Sequence, residues 1–243
     1  MSIDLVLGPR PDEPGPPIGG PSSYAPEVEA RLATDAATII GRYPQARSAL
    51  LPLLHLVQSE DGYITAAGIA FCADQLDLTD AEVAAVATFY SMYRRTPTGE
   101  YLVGVCTNTL CAVMGGDAIL EVLETDLGVH AGDTTADGRI TLEHIECNAA
   151  CDYAPVIMVN WEFFDNQSPT TARQLVDQIR AGQPPHATRG TEVCPFRDTA
   201  RTLAGLPVAG ESGGGAPGAA TLAGVLVARE LGMSAPQIPE SEV

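Results

Sequence analysis

Basic residues are scarce in this sequence. Thirteen Lys plus Arg stand against thirty-one Asp plus Glu, a formal net charge of −18 over 243 residues. Such a surface repels phosphate backbones and anionic lipid headgroups, which argues against nucleic acid as a partner. Long apolar runs are also missing: none approaches the roughly 20 residues that span a bilayer, so no direct membrane insertion is expected. The opening, MSIDLVLGPRPDEPGPPIGG, has neither a basic leader region nor a continuous apolar one, and a cytoplasmic chain is the expectation. Nucleotide motifs are absent too. Gly115 and Gly116 open a helix, but no G-x-G-x-x-G, Walker sequence or acidic ribose partner accompanies them, so they read as a helix entry.

What remains is enough for a folded core, since 45% of the residues are apolar. Residues 1–22, dense in Pro and Gly, are expected to form a disordered arm. Residues 23–95 read as a helical bundle. Its clearest helix lies in TDAEVAAVATFYSMY, where Thr79 and Glu82 make a capping box and Val83, Val86, Ala87 and Tyr90 recur on one face. Over residues 96–182 strands alternate with helices: YLVGVC, GDAILEVLETDLG, RITLEHIEC, the pair VIMVN and WEFFD, then a helix capped by Ser168 and Pro169. The fold class is therefore mixed, α+β or α/β, a helical bundle followed by a small α/β sandwich. Residues 183–243 are read as a Pro/Gly-rich flexible tail, so that fold and site should survive truncation after Gly182.

Four of the six cysteines form two pairs. Cys106 and Cys111 are C-x4-C, and Cys147 and Cys151, thirty-five residues later, are C-x3-C. Each pair follows a strand, so adjacent strands would bring both loops to one sheet edge. In a reducing compartment such thiols are better read as metal ligands than as a disulfide framework. Soft sulfur suits zinc or iron-sulfur chemistry, and the x4 and x3 gaps are wider than the C-x2-C knuckles of structural zinc. A 2Fe-2S unit fits best, with zinc and thiol exchange as alternatives. Thr107, Asn108 and Thr109 could supply donors to it. Cys72 reads as a small buried hydrophobe, Cys194 as a free or partner-contacting thiol, and His55 as a packed histidine. His130, His144 and His186 have no ligand spacing.

The segments VCTNTLCAVMGG and ECNAACDYAPVIMVN, preceded by VATFYSMY and LLHLVQSEDGYIT, resemble the thioredoxin-like 2Fe-2S subunit of bacterial proton-pumping NADH:quinone oxidoreductase, respiratory complex I. The likeness covers about residues 24–182. It implies a thioredoxin-like 2Fe-2S ferredoxin domain, with Cys106 and Cys111 on one iron and Cys147 and Cys151 on the other. Leu110 stands where that family often has Pro. The resemblance further implies a neighbouring subunit that carries FMN and the NADH site, other peripheral-arm subunits as partners, and a place on the cytoplasmic side of the membrane. Equivalent subunits of NAD-linked hydrogenases or formate dehydrogenases are the alternative, and a zinc-stapled interaction module is a reading of a different class.

Overall fold

The structure is a computed structural model describing residues 18–183, 185–206, 208 and 218–234. It divides into two compact units, residues 1–97 with 200–207, and residues 98–199 with 208–243.

The first unit is helical. It comprises α1 (Pro26–Ile40), α2 (Leu50–Asp61), α3 (Ala66–Leu76) and α4 (Asp80–Phe89). Local chemistry starts these helices. Thr65 accepts from the Gly68 amide at the head of α3, and the Thr79–Glu82 capping box opens α4. Leu53, Leu54, Leu56 and Val57 are fully buried around α2, so this helix is the unit's centre. Each such side chain stabilises by about 1.5–3 kcal/mol. A buried glutamine fastens the segment after α4. Gln58 donates to the Met92 carbonyl at 3.1 Å and accepts from the Arg94 amide at 2.7 Å, while the Tyr93 hydroxyl donates to the Leu51 carbonyl at 2.9 Å.

The second unit is a four-stranded sheet of β1 (Tyr101–Cys106), β2 (Ile140–Ile145), β3 (Ile157–Val159) and β4 (Glu162–Phe164), in the order β2-β1-β3-β4. β1 and β2 are parallel and the other pairings antiparallel. Parallel neighbours need a crossover, which α5 (Thr109–Val113) and α6 (Gly116–Leu127) supply. On one face Tyr101, Val103 and Val105, spaced by two, pack with Ile119 and Leu123 of α6 and with Leu175, Val176 and Ile179 of α7 (Pro169–Arg180). The β3–β4 hairpin turns on Asn160 and Trp161, both with positive φ (48° and 68°). Asn160 is buried, accepting from the Leu102 amide at 2.7 Å and donating to the Cys194 carbonyl at 2.8 Å.

Two segments depart from the expected disorder. Of the anticipated arm 1–22, residues 1–17 lie outside the described residues, but Gly19 and Pro21 accept from the Ala66 and Ala67 amides and Ile18 packs on the helical core. The anticipated flexible tail is in part structural. Val193 and Phe196 are buried, and Phe196 opens α8 (Phe196–Leu203) with its ring 5.2 Å from that of Trp161. Ala204 and Leu206 join the helical core, where Arg201 meets Asp35 at 2.9 Å. Residues 209–217 and 235–243 lie outside the described residues.

Truncation after Gly182 removes Val193, Phe196 and Leu206 from their cores and should cost about 5 kcal/mol or more, read as a lower urea midpoint. Separately, burial lowers the pKa of His55 from 6.5 to about 4. The folded state keeps this ring neutral while the unfolded chain protonates it, so its contribution is whole above about pH 6.5 and is lost as pH falls toward 4. The loss is on the order of 2–3 kcal/mol. Urea midpoints between pH 7 and 4.5 should therefore fall less steeply in His55→Phe; parallel slopes would contradict this.

Candidate metal centre

The site forms where two parallel strands end. Cys106 closes β1 and is paired in register with Ile145, the last residue of β2, so the loops bearing both cysteine pairs leave the same edge. Cys111 follows on α5, and Cys151 opens a short 3-10 turn, Cys151–Tyr153. All four thiols line one cavity of about 300 Å³, together with Asn108, Thr109, Leu110 and Val113. Cys106 and Cys111 are buried and pack with Ala150, Ala154 and Val156, whereas Cys147 and Cys151 are exposed. One pair is thus deep and the other lies at the surface.

The spacing within the outer pair fits a shared metal. Cys147 Sγ and Cys151 Sγ are 3.6 Å apart. Two thiolates on one tetrahedral ion, each at about 2.3 Å, stand about 3.7–3.8 Å from one another. Burial pushes the Cys106 thiol up to about 11; the Asn108 amide pulls it down, and the neighbouring Cys111 adds to the rise. The Cys151 thiol is raised too, chiefly by its hydrogen bond with Cys147. Protons therefore stay on these sulfurs until a cation displaces them, as a metal centre would.

Backbone geometry shapes both loops. Gly115 has φ 110° and caps α6, and a Cβ on Gly116 would stand 2.5 Å from the Cys106 carbonyl oxygen and 2.9 Å from that of Cys111. Glycine is required there because the helix entry lies directly against both cysteine-bearing segments. Ala149 adopts φ 55°, a conformation disfavoured for a non-glycine residue, and its amide donates to Cys147 Sγ at 3.4 Å. Asn108 donates through its side chain to Glu146 at 2.5 Å, tying one loop to the other.

The remaining sequence candidates lie elsewhere. Cys72 is buried in the helical core, and Cys194 is half-buried with its sulfur 3.1 Å from the Thr199 hydroxyl. His55 packs beside Tyr93, ring centroids 4.9 Å apart. Sequence reasoning missed Ala149, Asp152 and Arg189. The Asp152 carboxylate directly after Cys151 meets the Arg189 guanidinium at 3.3 Å, a pair thirty-seven residues apart that no local signal announces.

Residues 36–180 match the model of the thioredoxin-like 2Fe-2S ferredoxin family, and the chain belongs to that family. Its cofactor is accordingly a 2Fe-2S cluster. The chain is 65% identical over 243 residues to an NADH-quinone oxidoreductase subunit of Mycobacterium tuberculosis (strain ATCC 25618 / H37Rv), covering 99% of this chain and 96% of that one. Against the corresponding NADH-quinone oxidoreductase subunit of Rickettsia typhi (strain Wilmington) identity is 38% over 146 residues, 59% of this chain and 86% of the relative. Among solved structures, an NAD+-reducing NiFe-hydrogenase in the air-oxidised state matches with a TM-score of 0.50 at 25% identity, over 56% of this chain and 23% of that chain. The mycobacterial likeness thus extends into the residues beyond 182.

Gly116→Ala should force the Cys106 and Cys111 carbonyls apart. The expected cost is about 1–3 kcal/mol, with a visible loss of bound iron per chain by colorimetric assay. Iron content and melting equal to the parent chain would show that the close approach is not needed.

Proposed function

We propose that Cys106, Cys111, Cys147 and Cys151 hold the cluster, the first two on one iron and the last two on the other. We further propose that the chain is the electron-transfer subunit of an NADH:quinone oxidoreductase. The observation that carries the ligand assignment is that all four thiols line one cavity at the ends of two adjacent strands. When bound, the cluster supplies a one-electron acceptor.

This chain's own residues do the rest. Amides of Ala149 and Asn108 donate to the sulfurs of Cys147 and Cys106, favouring the added negative charge of the reduced state. Ala150, Ala154 and Val156 keep water from the inner pair. Leu110, Val113 and Met114 are exposed in the first ligand loop and just after it, two of them lining the cavity. Apolar exposure of that kind suits a protein partner. The partner in this proposal is the FMN- and NADH-binding subunit, among other peripheral-arm subunits of complex I. The chain would then sit on the cytoplasmic side without entering the bilayer; among the described residues no helix is long and apolar enough to cross a membrane.

The likeness to the NAD+-reducing hydrogenase supports a second reading, a diaphorase subunit of such an enzyme. The 65% identity to the mycobacterial NADH-quinone oxidoreductase subunit favours the first. Family membership displaces the zinc-stapled module.

Hydride delivers two electrons at once, and a single 2Fe-2S centre takes one. The isolated, flavin-free chain should therefore show no NADH oxidation, while adding the FMN-bearing subunit of the same oxidoreductase should let NADH bleach the cluster's visible absorbance. Rapid NADH oxidation by the chain alone would refute the proposal.

A further inference from the structure

The turn bearing Cys151 is gripped from outside by residues far along the chain. We infer that the C-terminal segment is a latch: Arg189 and the first turn of α9 (Ala219–Glu230) hold Asp152 and Tyr153, and so position Cys151 and restrain loss of iron from the outer thiol pair. The inference rests on the ligand assignment proposed above.

Three hydrogen bonds and one cation–ring contact make the grip. The Thr221 hydroxyl donates to the Asp152 carboxylate, and the Ala220 amide donates to the Tyr153 hydroxyl at 3.3 Å. Arg189 donates to Asp152 at 3.3 Å and makes a two-point pair with Asp165, both bonds 2.8 Å. Its guanidinium carbon also lies 4.9 Å from the centre of the Tyr153 ring. A Cβ on Gly218 would collide with the Tyr153 hydroxyl, so the chain closes onto the turn at a glycine. The Thr221, Ala220 and Arg189–Asp152 bonds lie at the surface, and the Arg189–Asp165 pair that anchors them is partly buried. The Arg189 and Asp152 side chains are each 22% exposed and that of Asp165 is 9% exposed, where a two-point guanidinium–carboxylate pair holds its geometry.

α9 itself buries none of its residues, and Val225, Leu226 and Val227 are about half exposed. A helix with nothing in the core is not there to build it. Among the described residues, the first turn of α9 makes hydrogen bonds to the residues that immediately follow a cysteine of the site. Partners of ligand-bearing residues change metal retention by roughly 10–100-fold when removed. Peripheral contacts one residue further out should act more weakly.

The test uses the full chain, purified without oxygen and carrying its cluster. Thr221→Val removes one donor with little change of shape, Thr221→Ser restores it, Arg189→Gln removes the guanidinium, and Arg173→Gln breaks a separate ion pair with Asp126. Iron release to a colorimetric chelator and the EPR line shape after dithionite are measured beside the far-UV melt. Release should be about three- to tenfold faster in Thr221→Val and Arg189→Gln, return to the parent rate in Thr221→Ser, and be unchanged in Arg173→Gln, with the Thr221→Val melt unaltered. Parent rates and line shapes in both latch variants would overturn the inference, as would equal acceleration in Arg173→Gln. A cluster retained in Cys151→Ser would instead strike at the ligand assignment, and at the latch with it.

Discussion

The parallel pairing of β1 with β2 is the constraint on which the rest depends. Because Tyr101 pairs with Ile140 and the register runs unbroken to Cys106 and Ile145, both cysteine loops leave the sheet on the same edge. A shift of one residue would turn every side chain of the strand to the opposite face, removing Val103 and Val105 from the core they share with α6 and α7. The hydrophobic face thus sets the register, and the register sets where the thiols meet. Gly116 then allows the crossover helix to begin against the first cysteine loop itself.

Two of the four sulfurs brought together this way resist becoming anions, those of Cys106 and Cys151. Burial holds the proton on Cys106 and the hydrogen bond with Cys147 holds it on Cys151, while the Asn108 amide offsets part of the rise at Cys106. A cation that binds there takes the place of those protons, inside a chain that is strongly acidic overall. The two halves of the site differ. The inner pair is sealed by small apolar side chains, while the outer pair depends on the Asn108–Glu146 tie and the contacts around Asp152.

Much of this was legible in the sequence because its signals are local. Cysteine spacing, the Thr79–Glu82 and Ser168 caps, and the alternation in YLVGVC each depend on residues within a few positions of one another. The capping partner of Ser168 is Thr171, a hydroxyl in the place where Glu or Gln is usual. What escaped was long-range. Phe196 and Leu206 are buried although their neighbourhood is rich in Gly and Pro, since a few large side chains suffice to anchor a segment whose average composition looks unfolded. Arg189 looked like one more surface charge, and only the fold brings it to Asp165 and Asp152. The strained φ of Ala149 has no sequence signature at all.

The central claim is that these four cysteines, and not the other two, hold one 2Fe-2S cluster. Its most direct test is iron and acid-labile sulfide analysis with EPR on the full chain purified anaerobically, set beside Cys147→Ser and Cys72→Ser. The account predicts two irons and two sulfides per chain, a rhombic S = 1/2 signal after dithionite, loss of both in Cys147→Ser and their retention in Cys72→Ser. Stoichiometric zinc in place of iron, or equal loss in the two variants, would contradict it.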